Sequence, residues 1–155
     1  MIPLAKRATP SAIAALRQAT ALWPKRKKAS DGLLPSAAHV HQNPNSDHNS
    51  GFAVDITHDP VNGLDCSFAF IKLQSDERVK YLIFKGKIWS KEKGNRDYTG
   101  SNPHNKHLHI SIKEDCGNDV SSWFPWMPEP TTLNKVKANV VKVKAKKKEQ
   151  TSPKE

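Results

Sequence analysis

The chain has 155 residues, 36% of them hydrophobic, and a formal net charge of +10. This length suits a single domain with a hydrophobic core rather than two full domains. Because no run of about 18 apolar residues occurs, the composition excludes a transmembrane helix. Two cysteines, Cys66 and Cys116, allow at most one disulfide. We expect two separate thiols, with a bridge between them as the alternative.

The first half of the chain predicts one helix, a long loop and one strand. Residues Ser11–Trp23 have an amphipathic pattern, with Ser11 as a candidate N-cap and Pro24 just beyond the end. Turn-forming residues dominate positions 25–50, which predicts mainly loop. Residues Gly51–Thr57 predict a strand whose alternate residues point to opposite faces. The apolar face of the predicted helix is formed by Ile13, Leu16, Leu22 and several alanines.

The second half predicts a short helix followed by strands. The helix is expected to begin near Cys66 and to end at about Lys80. A hairpin follows, with a strand on either side of a Lys85-Gly86 turn, and residues 91–103 predict a polar loop. The alternating HLHISI of residues 107–112 is the clearest strand. These elements predict an α+β fold, with a small antiparallel sheet flanked by short helices. The apolar side of the second helix is formed by Phe68, Phe70, Ile71 and Leu73.

The last part of the chain differs in composition from the rest. The aromatic and proline-rich segment SSWFPWMPEP, residues 121–130, is expected to close the edge of the domain. Residues 131–155 hold eight lysines and two glutamates but no aromatic residue, a composition typical of disorder. We therefore predict a folded domain over residues 1–130 and a lysine-rich, disordered tail over residues 131–155.

The histidines are the residues that point to chemistry. Seven are present, and three of them lie within six residues, in the segment PHNKHLH. Because residues two apart on a strand share a face, His107, His109 and Ser111 are expected to project together. By the same parity Asp55 lies on the polar face of its own strand. It converges with His109 if the two strands are neighbours, and His48 can approach from the preceding loop. Two imidazoles and one carboxylate, with a fourth position open to water, form a ligand set of catalytic zinc.

A longer spacing pattern surrounds these residues. S-x-H-x2-G-x-A-x-D begins at Ser46 and ends at Asp55, and H-x2-H-x-H ends at His109, 54 positions after Asp55. An HxH pair alone is a weak signal, since His39 and His41 form another one. That second pair has no predicted strand beneath it, and we interpret it as polar loop residues.

With this pattern the sequence resembles the zinc D-alanyl-D-alanine carboxypeptidase and L-alanyl-D-glutamate endopeptidase family. Its members cleave peptidoglycan and share a fold with the hedgehog signalling domain, and the chain is similar in style to small phage endolysins of this group. The resemblance implies one zinc ion bound by His48, Asp55 and His109. It also implies that Ser46 supports the substrate side of the site through hydrogen bonding, and that the predicted sheet has the hedgehog-like arrangement.

The resemblance further implies catalytic and substrate-binding residues. Many members carry an acidic base three positions before the last zinc ligand, where this chain has Lys106. The sequence is similar to the other branch, which implies that His107 is the general base or stabiliser and that His104 assists, with a zinc-activated water as nucleophile. The family also holds a substrate carboxylate with an upstream arginine. Arg26 is our candidate, and Arg17 and nearby lysines stay open as alternatives.

The predicted function is therefore a zinc peptidase that hydrolyses stem peptides or cross-links of bacterial peptidoglycan. It would act as a lytic endopeptidase or as a D,D- or L,D-carboxypeptidase. We expect a monomer whose basic tail contacts the anionic cell wall, with no membrane span and no specific nucleic-acid partner. Because the first residues lack a secretory signal pattern, we expect synthesis in a host cytoplasm and action on the wall after release.

Two other functions stay open at this level. The basic tail fits nonspecific nucleic-acid binding, although no motif of nucleic-acid recognition accompanies its charges. A catalytically inactive, zinc-bound module that binds the cell wall would carry the same three ligands. His104 and His107 beside those ligands favour an enzyme over such a module.

Overall fold

A five-stranded antiparallel sheet is the centre of the fold in the computed structural model, which describes residues 5–127. This architecture confirms the predicted α+β class. The division at residue 130 and the tail lie outside the described residues and stay predictions. The helices are α1 (Pro10–Leu22), α2 (Ala37–Gln42) and α3 (Cys66–Lys72). The strands are β1 (Ala53–Thr57), β2 (Val79–Phe84), β3 (Lys87–Ser90), β4 (Gly94–Asp97) and β5 (His107–Ile112).

The strand order is β1-β5-β2-β3-β4, and every neighbouring pair is antiparallel. The pairing of β1 with β5 places Asp55 directly opposite His109, as the parity of the two segments predicts. On the other face of the sheet Val54, Leu108 and Ile110 are almost wholly buried and form part of the core. The sheet therefore separates a hydrophobic core from a face that carries polar and ionisable side chains.

Helix α1 begins earlier than the sequence pattern indicates. Thr9 is its N-cap, with Pro10 in the first turn, and Ser11 is fully buried instead of capping the helix. Pro10 favours this start because its fixed φ suits the first helical position. The buried face is made of small residues, so the helix can lie close to β1, and the predicted face is wrong at Ile13 and Leu16, which are only half-buried. The buried residues of α1 are Ser11, Ala12, Ala15, Ala19 and Leu22.

The predicted helix from Cys66 to about Lys80 is too long. Helix α3 ends at Lys72, a 3-10 turn follows, and β2 has already begun at Val79. Asp76 leaves the helical conformation with φ of −86° and ψ of 118°, and its carboxylate accepts a hydrogen bond from the Arg78 backbone N–H at 2.9 Å, so the chain turns towards β2 here. The predicted apolar side is also wrong in part: Phe68 and Ile71 are 49% and 62% exposed, whereas Ala69 and Cys66 are buried.

The hairpin of β2 and β3 is confirmed, and its turn has positive φ at Lys85 and Gly86. Strand β4 lies within the segment predicted as a polar loop. It was missed because its GNRD sequence has no apolar alternation. An edge strand with little burial needs none, because backbone hydrogen bonds to β3 define it.

Two further predictions concern the closing segment and the cysteines. Trp123 is fully buried and donates its indole N–H to the Ser11 carbonyl at 3.0 Å, so the start of the predicted closing segment packs against α1, while residues 128–130 lie outside the described residues. Both cysteines are free thiols. Burial raises the pKa of Cys66 to about 12, which keeps that thiol protonated and unreactive. Within residues 5–127, no helix has the length and apolar character needed to cross a membrane.

Candidate metal centre

Three side chains from three elements meet on the polar face of the sheet. His48 lies in a 3-10 turn, Asp47–Ser50, while Asp55 and His109 lie on the neighbouring strands β1 and β5. Each offers one ligand atom, and these three atoms lie within 4.8 Å of one another. The structure thus brings together the three residues predicted as zinc ligands.

The turn that carries His48 depends on its flanking residues. The Ser46 hydroxyl caps the turn by accepting a hydrogen bond from the His48 backbone N–H at 3.3 Å. Gly51 ends the turn with φ of +83°, and a Cβ there would lie 2.9 Å from the Arg7 carbonyl oxygen. Only glycine meets both demands, so the glycine of the sequence pattern delivers the chain from the turn into β1.

The orientation of the His48 imidazole is fixed by a hydrogen bond at Nδ1, the ring nitrogen that faces away from Asp55. Its Nδ1–H donates to the Leu33 carbonyl at 2.7 Å, and its Nε2 then lies 3.2 Å from Asp55 Oδ2. Gly32 holds the supporting segment, because its backbone pairs with that of Asp55. Apart from this contact with the Asp55 carboxylate, the buried Nε2 atom has no hydrogen-bond partner among the described residues. A cation bound between this nitrogen and the carboxylate would satisfy it, and an outer partner on the opposite nitrogen is usual for ligating histidines.

The imidazole of His109 is held in the complementary way. Its Nδ1 lies 3.0 Å from Asp55 Oδ1, and its Nε2 lies 2.7 Å from the Ser111 hydroxyl. Tyr81 of β2 stacks on the ring, with centroids 5.5 Å apart and an interplanar angle of 16°. Sequence reasoning missed Tyr81, because its proximity follows from the β2–β5 register, which places it opposite Ser111.

The electrostatics of the three residues keep Asp55 ionised and attract positive charge to the two imidazoles around it. Burial acts to raise the pKa of Asp55, but hydrogen bonds and charge interactions with His109 and His48 outweigh it and hold the pKa well below its ordinary value. For His48, burial acts to lower the pKa, and the Asp55 carboxylate more than compensates and raises it. Asp55 is therefore ionised at neutral pH, as a metal ligand must be.

The two predicted catalytic histidines lie beside this centre. His107 Nε2 is 3.5 Å from Asp55 Oδ2, and the His104 ring lies 5.0 Å from the His107 ring and 5.6 Å from that of His109. His104 adopts a left-handed φ of 59°, which is uncommon outside glycine. Its Nδ1 is buried without a hydrogen-bond partner among the described residues.

Burial and neighbouring charges keep the imidazoles of both histidines neutral at pH 7. Burial, with the charges of His109 and His107, lowers the pKa of His104 to about 4. Burial is also the main cause that lowers the pKa of His107, where the Asp55 carboxylate opposes it. A neutral imidazole can accept a proton at pH 7, but a pKa of about 4 makes His104 a weak base, so His107 fits the predicted role of general base better.

The site opens into a cavity of about 700 Å³. Its walls are rich in amide, hydroxyl and imidazole groups, with Tyr81, Ile83 and Tyr98 as the larger apolar surfaces. Such a cavity has the size of a small-molecule or peptide site. Beyond the four site histidines and Asp55, the lining residues are His39, Gln42, Asn43, Pro44, Asn45, Ser46, Tyr81, Ile83, Tyr98, Ser101 and Asn102.

The interpretation of His39 and His41 as loop residues is wrong, because both lie in α2. His39 lies in α2, which Ser36 caps by accepting from the His39 backbone N–H. Its Nε2 is 3.4 Å from the Ser46 hydroxyl, and its ring is 6.0 Å from that of His48. The helix is only six residues long and has no buried residue, so no apolar periodicity marked it. The cap pattern S-x-x-H was the available signal.

The two predicted substrate-binding residues have different places in the structure. Ser46 lines the cavity, so its contact with substrate stays a prediction that the geometry allows. Arg26 does not line this cavity. Its side chain is buried and paired with Asp31 through two hydrogen bonds of 2.6 and 3.0 Å. This position does not fit the substrate-binding role predicted for Arg26, because the guanidinium is already paired with the Asp31 carboxylate and does not face the cavity.

Arg26 and Asp31 instead fasten the segment that supports His48. The Asp31 carboxylate accepts hydrogen bonds from the Thr57 backbone N–H at 2.8 Å and the Thr57 hydroxyl at 2.7 Å. Thr57 ends β1, so these bonds tie residues 26–33 to that strand. The Leu33 carbonyl that orients His48 belongs to the same segment.

Replacing Asp31 by asparagine is expected to lower the free energy of unfolding by about 2–3 kcal/mol at pH 7, because it leaves the buried Arg26 unpaired. Burial acts to raise the pKa of Asp31, but bonds from Arg26 and Thr57 outweigh it and lower the pKa below 3.8. The wild-type contribution is therefore present above pH 3.8 and is lost as pH falls further. Denaturant unfolding at pH 7 and pH 3 measures both effects.

The matched control is Glu77→Gln, which breaks an exposed ion pair with Lys91. It should change the free energy of unfolding by less than about 0.5 kcal/mol. Equal stability of Asp31→Asn and Glu77→Gln at pH 7 would show that the Asp31 bonds do not fasten this segment.

Fold and site together define an α+β protein with a candidate metal centre of two histidines and one aspartate. A family model described as VldE, C-terminal domain, matches residues 5–109, about two thirds of the chain. The chain belongs to this family. The matched range includes all three candidate ligands as well as His104 and His107. No curated protein and no solved structure gives a significant match.

Proposed function

We propose that this protein is a zinc-dependent peptidase that hydrolyses peptide bonds in the stem peptides or cross-links of bacterial peptidoglycan. The observation that carries the proposal is the convergence of His48, Asp55 and His109 within 4.8 Å at the base of a polar cavity. Two imidazoles and a carboxylate with room for a further ligand suit catalytic zinc more than structural zinc, which is usually closed by four protein ligands.

The surroundings of the His48 imidazole are compatible with zinc binding. Apart from its contact with Asp55, the buried Nε2 of His48 lacks a hydrogen-bond partner among the described residues, and Nδ1 of the same ring donates to the Leu33 carbonyl. Zinc bound here would lower the pKa of a water molecule and polarise the scissile carbonyl. The spacing of the ligands is also that of the peptidoglycan-cleaving zinc peptidases that the sequence resembles.

The neighbouring histidines supply proton transfer. His107 is neutral at pH 7 and lies next to Asp55, so it can accept the proton of the attacking water and pass it to the leaving amine. His104 is packed against His107 and assists by orienting that ring.

The cavity wall supports a peptide substrate. Asn43, Asn45 and Asn102 line it with amide groups that can donate and accept hydrogen bonds, which is what a peptide backbone requires. The hydroxyl of Ser46 belongs to the same wall. The lysine-rich tail would add attraction to an anionic cell wall. Action at the wall and a monomeric state remain part of this proposal.

The test is solubilisation of purified peptidoglycan, followed as a fall in turbidity. The zinc-loaded protein should clear the suspension, a chelator should stop clearing, and added Zn²⁺ should restore it. Tight DNA binding that a chelator leaves unchanged, without clearing, would favour a nucleic-acid-binding protein. Zinc binding without hydrolysis of any muropeptide would favour an inactive wall-binding module.

A further inference from the structure

The His109 imidazole has defined contacts on the side that faces away from Asp55 as well as on the side that faces it. Ser111 follows two residues later on β5, is fully buried, and places its hydroxyl 2.7 Å from His109 Nε2. The Tyr81 ring covers the flat face of the same imidazole. Ser111 and Tyr81 therefore both contact the His109 imidazole, one at a ring nitrogen and the other on the ring face.

The chemistry of an imidazole makes this arrangement consequential. A neutral ring carries its proton on one nitrogen, and only the other nitrogen can donate a lone pair to a metal ion. His109 presents Nδ1 to Asp55 and the candidate metal position. The proton must then be on Nε2, where the Ser111 oxygen is placed to accept it.

We propose that the Ser111 hydroxyl and the Tyr81 ring are positioning groups that hold the His109 imidazole with its Nδ1 presented to the metal ion. This inference rests on the metal centre of the proposed function. Ser111 selects the tautomer through its hydrogen bond, and Tyr81 fixes the rotation of the ring by stacking. The Tyr81 hydroxyl also has the Ser111 side chain as a polar neighbour, which joins the two groups into one support.

The experiment measures the Zn²⁺ affinity of the full-length chain by competition with a chelating indicator. In Ser111→Ala, Zn²⁺ affinity should fall about 10- to 100-fold, the usual effect of removing an outer partner of a ligating histidine. Ser111→Thr keeps the hydroxyl and should recover most of the affinity. With Co²⁺ in place of Zn²⁺, the ligand-field absorption of Ser111→Ala should be weaker or shifted.

The matched control is Ser11→Ala in α1. Ser11 is also fully buried, but its hydroxyl has no hydrogen-bond partner among the described residues, and it lies outside the cavity. It should bind Zn²⁺ as the wild type does. Melting temperatures of the metal-free proteins show whether both variants are folded.

The Tyr81 variants give a second, independent measurement. Tyr81→Phe keeps the stacked ring, whereas Tyr81→Leu removes it and should bind Zn²⁺ about 3- to 10-fold more weakly than Tyr81→Phe. If Ser111→Ala does not fold, the two Tyr81 variants test the inference on their own. Equal Zn²⁺ affinity of Tyr81→Phe and Tyr81→Leu would overturn the positioning role of Tyr81, and with it the inference that Ser111 and Tyr81 hold His109 together.

Several outcomes are informative in opposite directions. A fall of less than about threefold in folded Ser111→Ala overturns the inference. A wild-type protein that binds no Zn²⁺ overturns both the inference and the proposed function. A wild-type protein that binds Zn²⁺ and shows the predicted loss in Ser111→Ala, yet cleaves no peptidoglycan, supports the inference and overturns the proposed activity.

Discussion

Replacing Asp55 by asparagine is expected to lower Zn²⁺ affinity by more than about 100-fold and to abolish peptidase activity. Asp55 is the residue between the two histidines, with Oδ1 3.0 Å from His109 Nδ1 and Oδ2 3.2 Å from His48 Nε2. Its replacement removes the only negative charge among the three ligands while keeping the size of the side chain. Loss of outer partners alone costs 10- to 100-fold in metal affinity, so the loss of this ligand should cost more. Competition titration and metal analysis after dialysis measure the effect.

A surface aspartate provides the control for this change. Asp97 is exposed on β4, where it pairs with Lys87, and Asp97→Asn should leave both Zn²⁺ affinity and activity at the wild-type level. A folded Asp55→Asn protein that keeps one tightly bound zinc ion would contradict the assignment of Asp55 as a ligand.

Replacing His107 by alanine is expected to leave zinc bound and to reduce the hydrolysis rate by about 10²- to 10⁴-fold, the usual contribution of a general base. The ring lies beside the metal centre rather than within the ligand set, with Nε2 3.5 Å from Asp55 Oδ2. Its lowered pKa keeps it neutral and able to accept a proton at pH 7. Initial rates on a soluble muropeptide, measured at saturating zinc, isolate this step from metal binding.

Two other histidines bracket this result. His104→Ala should cause a smaller loss, because His104 acts through its contact with His107. His41→Ala, at an exposed position in α2, should have no effect. Full activity in a zinc-loaded His107→Ala protein would exclude His107 as the base.

The candidate site could be predicted in large part from the sequence because strand parity is a local property. The alternation around His109 and the position of Asp55 in its strand determine which side chains share a face. The structure then places Asp55 opposite His109. The His48 turn was foreseeable from its serine and glycine, which serve as cap and left-handed terminus.

The supporting residues could not be predicted, because they depend on tertiary contacts between segments far apart in the chain. Tyr81 stacks on His109 through the register of β2 with β5. The hydrogen bond from His48 to Leu33 depends on the path of a loop that Arg26 and Asp31 fasten. Arg26 was predicted to bind a substrate carboxylate because it is a basic residue upstream of the site. The sequence does not show that its guanidinium is buried and paired with Asp31.

The fold shows the same division between local and tertiary information. The β2–β3 hairpin and the strand at residues 107–112 were predictable from turn chemistry and alternation. Helix α3 ends at Lys72, and Arg78, within the predicted helix, packs on Trp123, 45 positions away, a contact that no local pattern shows. Strand β4 lies at an edge of the sheet and consists of polar residues and glycine. Its pairing is therefore made by the backbone, and the sequence carries no hydrophobic alternation that would predict a strand.

The most direct test of the account is mass spectrometry of purified peptidoglycan digested by the zinc-loaded protein in water enriched in ¹⁸O. A metal-dependent peptidase should release fragments with one new amine and one new carboxyl group carrying a single ¹⁸O, and the glycan chain should stay uncut. Chelation and the Asp55→Asn variant should both abolish these products. New reducing sugar ends, or an unchanged wall in the presence of bound zinc, would contradict the proposed function.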